Sequence, residues 1–176
     1  RGLAGLKHVS MQRVGATDLA PLEGLNQLGI LDVFGNEVSS LKPLAGSHQL
    51  VVLWAGKNSI SDLQPLATCA ALRFLDVSEN PVVDVSAVAG IQKLESLGIG
   101  GEEGFDLEQI RGFNIWELKV AGGPVVNFDA LLGMRKLSKL DVTVLKDESD
   151  DAAVWVDAGV LDALKRRQGF KLKVTG

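Results

Sequence analysis

The side chains best suited to chemistry in this chain are His8, His48, Cys69 and the acidic run Asp147, Glu148, Asp150 and Asp151. A histidine pair could move a proton or hold a metal. An ionised cysteine could attack an electrophile. Clustered carboxylates could gather calcium. None of these finds partners at a working spacing. The acidic run has neither the glycine nor the closing glutamate of an EF-hand loop, so it reads as a solvated loop. The glycine stretches "GIGG" (98–101) and "AGGP" (121–124) carry no Lys-Ser/Thr signature and open no long helix. They are not phosphate loops. Corners between strand and turn suit them better.

Composition narrows the classes further. At 176 residues the chain is long enough for a substantial core, and 46% apolar residues can fill one. A net charge of −4 gives no footprint for nucleic acid or anionic lipid. No run of apolar residues is long enough for a membrane span. No signal peptide is visible, although the chain opens on Arg1 and not on Met. One cysteine excludes an internal disulfide.

What positions these residues is a repeat. Leu6, Leu28, Leu50, Leu72 and Leu94 stand 22 apart, Ile115 follows at 21, and Leu137 at 22 again. Each opens a pattern of apolar residues at places one, four and six, as in Leu28, Leu31 and Val33. That alternation is the period of a short strand. Asn36, Asn58 and Asn80 share the ninth place. Their amides are expected to turn inward and satisfy backbone groups where the strand bends away. Val14, Glu102 and Gly123 interrupt this ladder, so the end repeats should be less regular.

A second column reads Asp18, Ser40, Asp62, Asp84, Asp106 and Asn127, all good helix N-caps. Pro21, Pro43 and Pro65 follow three places later, where a first turn has spare N–H groups. Apolar residues then recur every three, as in Leu63, Leu66, Cys69 and Leu72, which suits a short 3₁₀ segment. Cys69 therefore falls in a core column and reads as a structural thiol. His8 falls on the third place of a strand and His48 on an outer column, so the two cannot share a site. Each repeat is strand, turn, helical segment and return. Such units stack into a solenoid whose strands form one parallel sheet. Between Phe113 and Ile115 one residue is missing relative to the other repeats. A tighter return is expected there, eased by Gly112, with a local change of curvature near Asn114.

"LVVLWAGKNSISDLQPLAT" (50–68) resembles the 22-residue leucine-rich repeat, and "ISDLQPLA" (60–67) is closest to the internalin-like class of bacterial proteins. The resemblance covers about residues 3–145. It implies an α/β leucine-rich repeat solenoid, an arc with a concave parallel β-sheet and a short 3₁₀ or helical convex side. It implies a binding module, a bacterial source, and a secreted or surface location. About seven repeats, the first truncated, are expected over 1–145. Because Leu3 stands 22 before Leu25, the natural protein is expected to extend further toward its N-terminus. Residues 146–176 depart from the repeat and read as a C-terminal helix-strand cap. In it Asp157 opens a helix carrying Val160, Leu161 and Leu164, and "FKLKV" (170–174) forms a last strand with Lys171 and Lys173 facing away from the core.

The third, fifth and seventh places should leave the concave face. There Ile30, Phe34, Val52, Trp54 and Phe74 gather in repeats two to four, with Asp32 and Asp76 beside Trp54 and Glu79 near the rim. An aromatic cluster with a charged border resembles an interface hot spot. The reading is a monomeric protein-recognition module without cofactor, metal or catalytic residues. Its acids suggest a partner with a basic or amide-rich rim around an apolar knob. The rival reading is a structural spacer or capping solenoid within a larger surface protein or effector. Carbohydrate or peptide binding in the same groove ranks below both, and an enzyme ranks last.

Overall fold

The computed structural model describes residues 5–144 and 158–175. Leu3, the acidic run from Asp147 to Asp151, and Asp157 lie outside the described residues.

Short strands recur wherever the apolar alternation placed them: β1 (His8–Ser10), β2 (Ile30–Asp32), β3 (Val52–Trp54), β4 (Phe74–Asp76) and β5 (Ser96–Ile99). The next strand, β6 (Phe105–Asp106), leaves the row. Then come β7 (Glu117–Gly122), β8 (Val125–Val126), β9 (Lys139–Val144) and β10 (Lys171–Thr175). Eight of these make one parallel sheet in the order β1-β2-β3-β4-β5-β7-β9-β10. β6 and β8 pair with each other as a separate two-stranded sheet. Every step of the large sheet between β1 and β9 joins equivalent places, so Leu31 faces Leu53, Leu53 faces Leu75 and Leu75 faces Leu97. The 21-residue step leaves this register intact, since Leu97 faces Leu118 and Leu118 faces Leu140. The missing residue is absorbed outside the sheet, between Phe113 and Ile115; the left-handed Gly112, at φ +92°, matches Gly24 and Gly46 of the full-length repeats.

The convex side is built from 3₁₀ turns at Ala20–Leu22, Lys42–Leu44, Gln64–Thr68, Leu107–Ile110 and Phe128–Gly133, with one short helix, α1 (Ser86–Ala89). A proline sits in the first two positions of the first three turns. The capping column accepts backbone N–H groups two residues on: Asp18 from Ala20 at 2.7 Å, Asp62 from Gln64 at 2.8 Å, Asp84 from Ser86 at 2.8 Å and Asp106 from Glu108 at 2.8 Å. Ser40 does the same for Lys42 at 3.3 Å. Asn127 departs from the expectation. It is left-handed at φ +60° and caps nothing with its side chain. Its amide donates instead to Asp106 Oδ1 at 2.8 Å, tying one repeat to the previous one.

Between sheet and turns lies a continuous apolar core. Leu28, Leu50 and Leu72 fill one column, Leu31, Leu53, Leu75 and Leu97 another, and Leu44 and Leu66 a third, all essentially without exposure. Burying each such side chain contributes roughly 1.5–3 kcal/mol before chain entropy is set against it. Cys69 is buried among them, and burial pushes its thiol pKa up, away from the reactive thiolate.

The asparagine ladder closes the strand ends. Asn58 donates to Val33 O at 3.0 Å in the preceding repeat and to Ala55 O at 3.1 Å in its own, while its Oδ1 accepts from Val38 N at 3.0 Å. Asn80 repeats the pattern with Ala55 O, Val77 O and Ile60 N. Asn36 serves Met11 O, Val33 O, Val14 N and Ala16 N. The residue before each ladder asparagine is left-handed: Gly35 at φ +71°, Lys57 at +56° and Glu79 at +54°.

Where the ladder lapses, backbone stacks directly on backbone. A Cβ on Gly101 would meet Asn80 O at 2.3 Å, and one on Gly122 would meet Gly101 O at 2.3 Å. Gly123 N–H donates to Gly101 O at 2.7 Å. The glycines stand at the corners expected of them and replace a side-chain ladder by direct contact.

The last helix, α2 (Ala158–Lys165), buries Val160 and Leu164 against the core. Arg167 donates to Met134 O at 2.8 Å and Leu132 O at 2.7 Å. β10 then joins β9 in register, Leu172 beside Leu140.

Candidate functional site

The stacked register turns each outward place into a row across the sheet. The third-place row runs His8, Ile30, Val52, Phe74, Ser96, Glu117, Lys139, and β10 adds Lys171. The fifth-place row runs Ser10, Asp32, Trp54, Asp76, Gly98, Lys119, Asp141, and β10 adds Lys173. Trp54 is 42% exposed while Leu53 beside it is fully buried. Ile30, Val52 and Phe74 are half-buried around it. Phe34 lies over the next strand, since a Cβ on Gly56 would touch its ring at 3.2 Å. The sheet therefore brings together the five apolar residues expected at this surface.

The acids behave differently from expectation. Asp32 is only 5% exposed. Its Oδ1 accepts from Phe34 N–H at 3.1 Å, and its Oδ2 accepts from the Gln12 side-chain amide. Asp76 Oδ1 accepts from Ser78 N–H at 3.0 Å and from Ser78 Oγ at 2.6 Å. Both carboxylates thus brace the turn two residues on, a local habit of aspartate that outcompetes an open border. Glu79 lies beyond the end of β4. It lines a cleft of about 430 Å³ beyond the strand ends with Lys57, Asn58, Pro81, Glu102 and Glu103.

Two arginines that the repeat pattern does not single out frame the aromatics. The Arg13 guanidinium lies 5.5 Å from the Phe34 ring centre and that of Arg73 lies 5.4 Å from Phe74. Arg73 is held there by a bidentate pair with Glu95, at 2.9 and 3.0 Å. Their positions depend on side-chain reach across repeats, which spacing alone does not report.

The C-terminal half of the same face is polar. Glu117 is 7% exposed, accepts from Ser96 Oγ at 2.7 Å and pairs with Lys139 Nζ. Burial alone would raise its pKa, but the hydrogen bonds from Lys139 and Ser96 outweigh that and hold it below the usual carboxylate value. The same bond raises Lys139. Asp141 lies 3.7 Å from Lys173 Nζ, and its Oδ1 is buried without a hydrogen-bond partner among the described residues.

His8 and His48 lie on opposite sides, His48 against Thr68 O at 3.1 Å and His8 in the outward row of β1. No three His, Cys, Asp or Glu side chains among the described residues form a group able to hold a metal. No helix among them is long and apolar enough to cross a membrane.

No family model and no curated protein sequence matches the chain. Solved structures do. Internalin C2 from Listeria monocytogenes superposes with a TM-score of 0.73 at 18% identity, over 99% of this chain and 75% of that one. An internalin (inlF) from the same organism gives 0.74 at 20% identity, over 98% of this chain and 48% of that one. This is the internalin leucine-rich repeat fold. A leucine-rich repeat protein of Leptospira interrogans shares it, with a TM-score of 0.63 at 16% identity, over 79% of this chain and 38% of that one. The internalin-like arc explains why the sheet rows converge on one concave surface, where neighbouring rows can face a single ligand.

Proposed function

We propose that this internalin-like solenoid is a protein-recognition module and that its concave face, centred on Trp54, is the binding surface. One observation supports this above the others. The largest side chain of the sheet is 42% exposed in the middle of an in-register apolar patch, over a core whose leucines are almost completely buried. Exposure of a tryptophan among Ile30, Val52, Phe34 and Phe74 has no stability benefit, and aromatic clusters of this kind carry interface energy. A spacer would have no use for it.

The test is Trp54→Ala and the double variant Trp54→Ala, Phe74→Ala, titrated calorimetrically against the protein partner recovered with the wild-type chain. Affinity is expected to fall about 30-fold or more for the single change, about 2 kcal/mol, with the melting temperature nearly unchanged. Full affinity in the double variant would move the site off the aromatic patch.

A further inference from the structure

Resting on the reading of the concave face as a protein-binding surface, we infer that the partner is acidic at one end of its footprint: an aromatic or apolar anchor seats at Trp54 and a carboxylate-rich segment runs across β7, β9 and β10. The polarity of the charges on this face carries the inference. The side chains of the acids lie low, Glu117 at 10% exposure, Asp141 at 18% and Asp76 at 21%. The lysines stand above them, Lys139 at 39%, Lys119 at 42% and Lys173 at 65%. Lys171 is exposed as well and has no ion pair among the described residues. Asp76 and Glu117 are held by internal bonds, each paired lysine reaches further out than its acid, and an approaching surface meets ammonium groups first. Such a face steers and selects opposite charge.

Its layout also sets the length of the ligand. Between the aromatic patch and the lysines lies β5, whose outward residues Ser96 and Gly98 are small and buried. Asp76 reaches over Gly98, whose Cβ would meet that carboxylate at 2.5 Å, so a ligand crossing this strip passes over low side chains. From Trp54 on β3 to Lys173 on β10 the sheet makes five strand steps, about 24 Å at the usual spacing. An extended peptide covers that with about seven residues.

A displayed library of random 12-residue peptides tests this, panned on the wild-type protein. Binders are expected to carry an aromatic residue followed within about seven positions by several Asp or Glu. Their affinity should fall about 10-fold in Lys171→Gln, Lys173→Gln, and about as far when salt rises from about 50 to 500 mM. The glutamine variant keeps strand-compatible side chains, and circular dichroism confirms its fold. Binders that need Trp54 but show no acidic excess overturn the charge assignment and leave the concave site standing. Binders indifferent to Trp54 and to the lysines overturn both, and so does a library from which nothing is enriched. Single-stranded DNA or anionic vesicles bound through Lys171 and Lys173 without help from Trp54 would assign the lysines to a different polyanion and end the proposal.

Discussion

Asn58 shows how a single side chain holds a repeat together. Its amide serves carbonyls of two repeats and its Oδ1 an N–H of a third segment. Asn58→Ala leaves these groups without partners and is expected to cost about 1–3 kcal/mol in urea unfolding. Gln64→Ala, on the exposed convex surface, should stay within about 0.5 kcal/mol. The ladder was legible because asparagine recurs at one place in three repeats. The bracing role of Asp32 was not, because aspartate beside tryptophan looks the same whether its carboxylate faces water or its own backbone. Glu117 escaped for a related reason: its partners, Ser96 and Lys139, are 21 and 22 residues away and meet it only through the sheet. Its folded pKa lies below the ordinary glutamate value of 4.5, so its stabilisation is complete above that pH. It is lost as pH falls through the folded value. Glu117→Gln should therefore be less stable than wild type at neutral pH, and the gap should close as the pH is lowered from about 6 to about 3. A gap that stays constant across urea midpoints would remove the ion pair from the account.

At the scale of elements, the two halves of the solenoid solve the same problem differently. The N-terminal repeats bend away from the sheet around an asparagine. The C-terminal ones bring carbonyl against glycine, and this leaves no room for a side chain at Gly101, Gly104, Gly122 or Gly123. Gly122→Ala combines φ +121° with a Cβ placed 2.3 Å from Gly101 O. It is expected to cost more than about 2 kcal/mol and to loosen hydrogen-exchange protection in β7 and β9 before β2 and β3. The strand positions were readable from leucine spacing, and the glycine corners from their failure to match any phosphate loop. The small β6–β8 sheet was not readable, because two-residue strands carry no period.

For the whole molecule, stability comes from neighbour contacts repeated along one axis. An open end therefore matters more than in a globular domain. Residues 146–176, proposed as the cap, have a direct test. Ending the chain after Val144 uncovers the core that Val160 and Leu164 contact and turns β9 into an edge. The shortened protein is expected to self-associate in size-exclusion chromatography and to unfold at lower urea, whereas Lys173→Gln should do neither. The unbroken register between β5 and β7 has a consequence for descent. The repeat there is one residue short, yet Ser96 still faces Glu117 and Gly98 still faces Lys119. This length change falls on the convex return and leaves the outward rows in phase. Copying errors that insert or delete a codon in a return, or duplicate a whole repeat, can thus be inherited without scrambling the rows of the concave sheet. Each duplication would add one new letter to every row and about 4.8 Å of sheet.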